Sequence, residues 1–265
     1  MRSAVIVVQV GWGLFMKYCG QIDFLMSAEV KVIEPKMLEA VLKLAESEAC
    51  SLAAYPISTN SPLRRFTEVQ VCNQLIDNLQ PFFEAVPYNG TEVMIESGLI
   101  LAFDDCVPQA RRVIGYIDFI PRLFTRITDS TASIGSIVVA RSHRNRGVMR
   151  GMLAALQARY SVHELDCAVE LVSLYERLGY SPVGPAAGGT NVSMSNGVVD
   201  GEIWEPSSRP EHKQLLSDTR NFIRKQIGSD KFDDLWQELI AGRDEQKRKV
   251  EEFFQIHRGI RGFCT

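Results

Sequence analysis

The stretch Ser136–Leu156, "SIVVARSHRNRGVMRGMLAAL", decides how this chain is read. It opens on β-branched residues, the composition of a strand. It closes with Met152, Leu153 and Leu156 at helical spacing, a stripe that Tyr160 continues. Between the two lie Arg141, His143, Arg144, Arg146, Gly147 and Arg150. A helix that starts near Gly147 aims its first backbone N–H groups, and the positive end of its dipole, into the preceding loop. Arg144 and Arg146 stand in that loop, and a glycine lets the backbone approach a ligand closely. Guanidinium forks match phosphate oxygens in pairs. The combination suits a pyrophosphate. Spacing alone leaves a solvated basic turn that binds nothing equally open. Neither the dinucleotide pattern G-x-G-x-x-G nor the P-loop pattern G-x-x-x-x-G-K-[ST] accompanies it.

Working outward, "EVKVIE" (29–34) alternates as a strand does, and Pro35 then opens a helical pattern through Cys50. A second helix is expected over Phe66–Phe83, and "VPYNGTE" (86–92) reads as a turn. Three strand signals follow, over 92–105, 111–124 and 130–140, the first two joined by "CVPQA" at hairpin length. After the helix from Gly147 to Tyr160 comes a short strand, "VHELDC", then a helix over 168–180 closed by Gly179, then two short strands. This order is mixed α/β with an antiparallel meander in the middle. Beyond about residue 200 three helical segments are expected, the first two ended by Gly228 and Gly242.

The 265 residues allow one large domain, or one with an extension, and a core that needs no staples. A net charge of −3 gives no global reason to expect nucleic acid as a partner. The tail from Ser207 has 12 Lys and Arg against 10 Asp and Glu, so its aromatic stripes point to packing on the body or on a second copy, as in a homodimer. The six cysteines form no C-x-x-C pair and no cluster with histidine, so no metal is expected, and reduced thiols fit a cytoplasmic protein. The apolar run Ala4–Met16 is too short to span a bilayer, and no A-x-A cleavage site follows it. It reads as an extra strand or an upstream extension. The expected organisation is an extension over 1–25, a catalytic domain over 26–200 and a helical C-terminal extension over 201–265.

"RNRGVM", Arg144–Met149, resembles the acyl-CoA-binding motif [RQ]-x-x-G-x-[GA] of the GNAT superfamily of N-acetyltransferases, with Met149 where the family has a small residue. "SLYERLGYSPVG" (173–184) resembles a second family segment, [LY]-x-x-x-G-[FY]. Both motifs stand in the family's order, and the layout from about Glu29 to Asn196 fits too. The resemblance implies an α/β fold with a GNAT-like mixed central sheet flanked by helices, here carrying a C-terminal helical extension. It implies acetyl-CoA as co-substrate. Ile137, Val138 and Val139 would offer main-chain groups to the pantetheine arm. Arg144, Asn145, Arg146, Gly147, Val148 and Met149 would hold the pyrophosphate. Tyr175 matches the position that often protonates the departing thiolate. Ala168 stands where many members have an asparagine.

Direct transfer also needs a group that makes the acceptor amine neutral. The fourth strand of the family often supplies a glutamate, and "TASIGSIVV" has none. Asp118 in "GYIDFI" is the first candidate by strand order, with Glu96 and Asp104 as alternatives; His143 reads as a loop residue. The leading expectation is an N-acetyltransferase acting on a primary amine of a small molecule. The alternatives are a protein or nucleic-acid acceptor docked through the C-terminal helices, and a non-catalytic CoA-binding or oligomerisation module.

Overall fold

Runs of β-branched and aromatic residues build the sheet strands, and the computed structural model describes residues 22–26, 35–53, 57–104, 112–125 and 131–261. Two compact units emerge. The first comprises the described residues up to Glu48, together with Cys72–His163 and Asp200–Ser208. The second comprises Ala49–Val71, Glu164–Val199 and the described residues from Arg209. The expected strand over 29–34, the apolar run Ala4–Met16 and the link "CVPQA" lie outside the described residues.

In the first unit, strands β1 (Ile22–Met26), β4 (Gly98–Asp104), β5 (Arg112–Pro121) and β6 (Thr131–Val139) pair antiparallel, each with the next. A short hairpin, β2 (Val86–Tyr88) and β3 (Thr91–Val93), precedes β4. The sequence reading had a bare turn here, and one long strand over 92–105. Asn89 and Gly90 both take positive φ, the geometry of a two-residue hairpin turn, and that turn pulls Thr91–Val93 out of the longer strand. The hairpin packs with Ile95, Ile120, Leu123 and Trp204 in a small separate cluster.

Strands β4 and β5 are buried on both faces. One face meets helix α4 (Val148–Gln157), which packs on β1, β4, β5 and β6 through residues such as Val148, Met152 and Leu156. Gly115 on β5 makes that approach possible: a Cβ there would sit 2.9 Å from the Val138 carbonyl oxygen and 3.1 Å from Met152 Cε. Alternation puts Tyr116 and Asp118 on the opposite face. Helices α1 (Pro35–Leu52) and α2 (Arg64–Asn78) precede the hairpin, and a short α3 (Gln80–Phe83) follows α2. One helix was expected over 66–83; it breaks at Leu79, where Pro81 cannot supply the next backbone donor.

The second unit contains β7 from Glu164 onward (the strand spans Val162–Cys167), α5 (Val172–Glu176), β8 (Ser181–Pro185) and β9 (Val192–Ser195). Here β9 pairs antiparallel with both β7 and β8. Helices α6 (Pro210–Ile227) and α7 (Ser229–Arg261) complete it. Gly228 at φ 86 ends α6 as expected, but α7 runs straight through Gly242, so two segments stand where three were expected. A glycine inside a helix costs only about 1 kcal/mol relative to alanine, which tertiary packing outweighs. No helix among the described residues is long and apolar enough to cross a membrane.

Part of the tail's apolar stripe packs inward, while Phe222 is exposed. Ile223 of α6 and Phe232 of α7 are buried against Leu63, with Phe66, Leu235 and Trp236 around them. Trp236 stacks on Phe232 at 5.6 Å between ring centroids and meets Phe66 edge-on at 5.2 Å. Phe232→Ala removes the centre of this cluster and is expected to cost about 3–5 kcal/mol. Urea unfolding checks it; a loss below the spread of surface substitutions would mean that the cluster does not hold the tail.

Candidate active site

The strand-to-helix turn of the opening stretch forms as its residues dictate. After β6 a 3-10 turn covers Arg141–His143, Asn145 takes φ 62, and Gly147 takes φ 78 as the N-cap of α4. That left-handed conformation is what a glycine adopts without penalty, and a Cβ at Gly147 would meet nothing within 4 Å. Gly147 has no side chain with which to cap the first turn of α4, whose leading N–H groups have no partner within the helix itself. Val148 is buried at the helix start, and Met149 is half-buried. The turn fits an anionic group: open space over the glycine, the positive end of a ten-residue helix, and arginines on both sides.

The turn is also anchored from two directions, and neither anchor was legible in the sequence. Glu48, buried near the end of α1, accepts a hydrogen bond of 2.6 Å from Arg144 Nη2 and one of 3.3 Å from the Arg141 backbone N–H. Arg144 Nε donates to the Val139 carbonyl oxygen at 3.1 Å. Arg144 therefore ties the loop to α1 and β6 as well as placing a cation beside it. On the other side the buried His143 sits 3.0 Å, Nε2 to Oδ2, from Asp104 at the end of β4, and its Nδ1 is 2.9 Å from Ser142 Oγ. Asp104, one of the candidate bases, is thus committed to the loop. Glu96, the other alternative, is exposed and paired with Arg159.

Asp118 sits elsewhere on the first unit's sheet. Pairing of β5 with β6 shifts register between Asp118 and Phe119: Asp118 faces Ser136, Phe119 faces Ile134, and Gly135 is the extra residue of a β-bulge. The cross-strand pair shares a face, so Ser136 Oγ donates to Asp118 Oδ1. From α2, Asn78 Nδ2 donates to Asp118 Oδ2 at 2.8 Å. Only a glycine fits beside them, because a Cβ at 135 would lie 2.1 Å from Asp118 Oδ2 and 2.5 Å from Asn78 Nδ2. Burial raises the Asp118 carboxyl above its ordinary range, against the opposing pull of the Ser136 and Asn78 hydrogen bonds. Asp118 is 1% exposed, so an acceptor meets it only through a neighbour. Ser136 and Asn78 escaped the sequence reading; the glycine inside a strand pattern was the available signal for the bulge.

Ile137 and Val139 of β6 are half-buried and Val138 is buried. Tyr175 belongs to the second unit, buried on α5 with its ring edge-on to Tyr180 at 5.9 Å. Burial, and then the neighbouring Cys167, push its phenol well above the usual value near 10, so it keeps its proton at neutral pH. The turn after α5 closes with Gly179 at φ 90. Among the described residues no group of three His, Cys, Asp or Glu is arranged to hold a metal ion.

Residues 75–180 match the sequence model of the acetyltransferase (GNAT) family. That span contains β4 to β6, the anion turn and Tyr175. No curated protein matches the chain. Among solved structures, the chain is similar to an acyl-CoA N-acyltransferase from Pseudomonas aeruginosa, at 16% identity over 67% of this chain and 100% of that one, with a TM-score of 0.41. It is similar to Escherichia coli ElaA at 16% identity over 67% and 99%, with a TM-score of 0.38. It is also similar to a chain of the NatC complex bound to Gag peptide and CoA, at 13% identity over 67% and 99%, with a TM-score of 0.40.

The Asp118 geometry carries a stability consequence with a definite sign. Its carboxyl is raised in the folded chain relative to about 3.9 unfolded. The folded state therefore binds the extra proton, and the contribution of Asp118 to stability is full below the unfolded value and is lost as pH rises through the folded one. Asp118→Asn keeps the shape and cannot ionise. It is expected to be more stable than the natural chain at neutral pH, with the difference shrinking toward pH 4. Urea unfolding of both chains across that range checks it; an Asn variant that is less stable at neutral pH than at pH 4, relative to the natural chain, contradicts it.

Proposed function

We propose, from a chain whose residues 75–180 belong to the acetyltransferase (GNAT) family, that this protein transfers the acetyl group of acetyl-CoA to a primary amine of a small molecule. Acetyl-CoA is the donor that the family uses, and it supplies an activated thioester and a pyrophosphate handle. The observation that carries the reading is the turn at Gly147: an uncapped helix start, a left-handed glycine with open space above it, and Arg144 and Arg146 beside it. The backbone N–H groups of Val148 and Met149 and the two guanidinium groups would hold the pyrophosphate. Ile137, Val138 and Val139 would align the pantetheine arm along β6. Tyr175, protonated at neutral pH, would return a proton to the leaving thiolate.

A small acceptor is favoured over a macromolecule by the packing of the tail. The stripe formed by Ile223, Phe232 and Trp236 is spent on the second unit's own cluster with Leu63 and Phe66. Those three side chains are therefore not a free docking face for a protein or nucleic acid, although Leu215 and Phe222 of α6 are exposed. The domain organisation we propose is an N-terminal extension over 1–25, the acetyltransferase domain over 26–200 and the helical extension over 201–265. The pairing of β1, Ile22–Met26, with β4 makes the end of the first segment part of the sheet.

Release of CoA thiol from acetyl-CoA in the presence of small amines, or of peptides with free amino groups, tests the function; release with peptides alone would shift the acceptor class. Arg146→Ala removes a charge-assisted bond worth roughly 1.5–3 kcal/mol. It is expected to weaken acetyl-CoA binding about 10- to 150-fold by calorimetry. Unchanged affinity would move the pyrophosphate off this turn. Tyr175→Phe keeps the ring and removes the proton, and is expected to lower kcat by about 10²-fold or more with acetyl-CoA affinity unchanged. A normal kcat in that variant would take Tyr175 out of the chemistry.

A further inference from the structure

The face of β6 that carries Ser136 is unusual for an interior strand. On that face Val138 is buried and Ser136 is half-buried, and Gly135 at the bulge is exposed. The strand opens to solvent at the bulge and nowhere else along 131–139 to the same degree. Asp118 lies beside the bulge, wholly covered, and the side of Gly135 on which a Cβ would stand faces its carboxyl. Its two oxygens are each held by a donor, Oδ1 by Ser136 Oγ and Oδ2 by Asn78 Nδ2. Tyr116 lies buried on the same face of β5, its phenol pushed up by burial and then by the charge of Asp118. Ser136 is the half-buried member of this group, and its hydroxyl donates to the carboxylate.

We infer that Ser136 is the residue that touches the acceptor amine and relays its proton to Asp118, while Asn78 and the bulge at Gly135 fix Asp118 in place. The inference rests on the acetyltransferase reading and adds to it the acceptor-side chemistry. A hydroxyl both donates and accepts, so Ser136 Oγ takes one proton from the bound ammonium as its own hydroxyl proton passes to Asp118. The amine, now neutral, attacks the thioester carbonyl carbon; the C–N bond forms and the C–S bond breaks. Tyr175 gives its proton to the departing thiolate and takes the second amine proton in its place. Asp118 returns its proton through Ser136 to solvent after the amide leaves, and the sum is ammonium plus acetyl-CoA giving amide, CoA thiol and one proton. Burial suits Asp118 to this task, because it raises the affinity of the carboxylate for a proton. A carboxylate behind a hydroxyl also sets the acceptor class: a cationic amine small enough to reach Ser136.

Amine basicity separates a relay from a merely structural serine. Alkylamines are charged at neutral pH and need a proton removed, whereas hydroxylamine and hydrazine are already neutral. Ser136→Ala is expected to lower kcat/KM for an alkylamine by about 10²-fold and to leave acetyl-CoA affinity unchanged. With hydroxylamine or hydrazine the loss should fall below about fivefold, since the step the relay serves is bypassed. Asp118→Asn should show the same split, and the double variant should be no slower than the slower single, because the two act as one unit. Equal losses for alkylamines and for neutral nucleophiles overturn the relay, as does a Ser136→Ala variant with normal alkylamine turnover. Ser136→Thr, which keeps the hydroxyl, should retain most of the rate; a loss as large as that of alanine also overturns it. If the natural chain acetylates no amine of either kind, the acetyltransferase reading falls with it, whereas normal transfer by the natural chain with an indifferent Ser136 sinks the relay alone.

Discussion

A charged group sealed inside a sheet is tolerated only where donors meet it, and Asp118 is sealed between β5, β6 and the end of α2. Satisfying it dictates much of the first unit. Asn78 must end α2 over the middle of β5. Ser136 must lie directly across from Asp118. The strand between them must bulge, and the bulged residue must have no side chain, since any Cβ at 135 would occupy the space of the two polar groups. Meanwhile the opposite face of the same strand needs Gly115 so that Met152 of α4 can come close. Two glycines on neighbouring strands, one for each face, let a helix pack on one side and a polar cluster form on the other.

The anion turn is built by a different economy. No side-chain cap is made at Gly147, and the side chains around the turn hold its backbone still. Glu48 grips Arg144 and the Arg141 N–H from one side, and Asp104 holds His143 from the other. Arg144 thus has two duties, as a cation beside the turn and as a strut to α1 and to the Val139 carbonyl. A preorganised turn loses little freedom when a ligand arrives, which raises affinity without adding contacts.

The opening stretch was legible because its chemistry is local. A β-branched run, a glycine and a helical stripe specify β6, the N-cap at Gly147 and α4 within some twenty residues, and the order of strands around them followed from alternation. What escaped depends on partners far away in sequence. Glu48 reads as one more charge on an amphipathic helix until α1 is set against a loop 96 positions later. Ser136 and Asn78 are unremarkable until a register shift brings them to Asp118. Asp118 itself was visible as a carboxylate in an apolar strand, but alternation alone could not say that it is covered. The tail failed in a simpler way: Gly242 is a sound break signal by propensity, and packing of Phe232, Leu235 and Trp236 overrode it on the N-terminal half of α7.

The central claim is that this chain moves an acetyl group from a thioester to nitrogen. The most direct measurement is to supply acetyl-CoA with an isotopic label in the acetyl group, together with a mixture of small amines, and to follow the label by mass spectrometry as CoA thiol appears. The account predicts label in N-acetylated amine in a one-to-one ratio with released thiol, and none of it in free acetate. Tight binding of acetyl-CoA with the label left on the thioester, or recovered only as acetate, would contradict it.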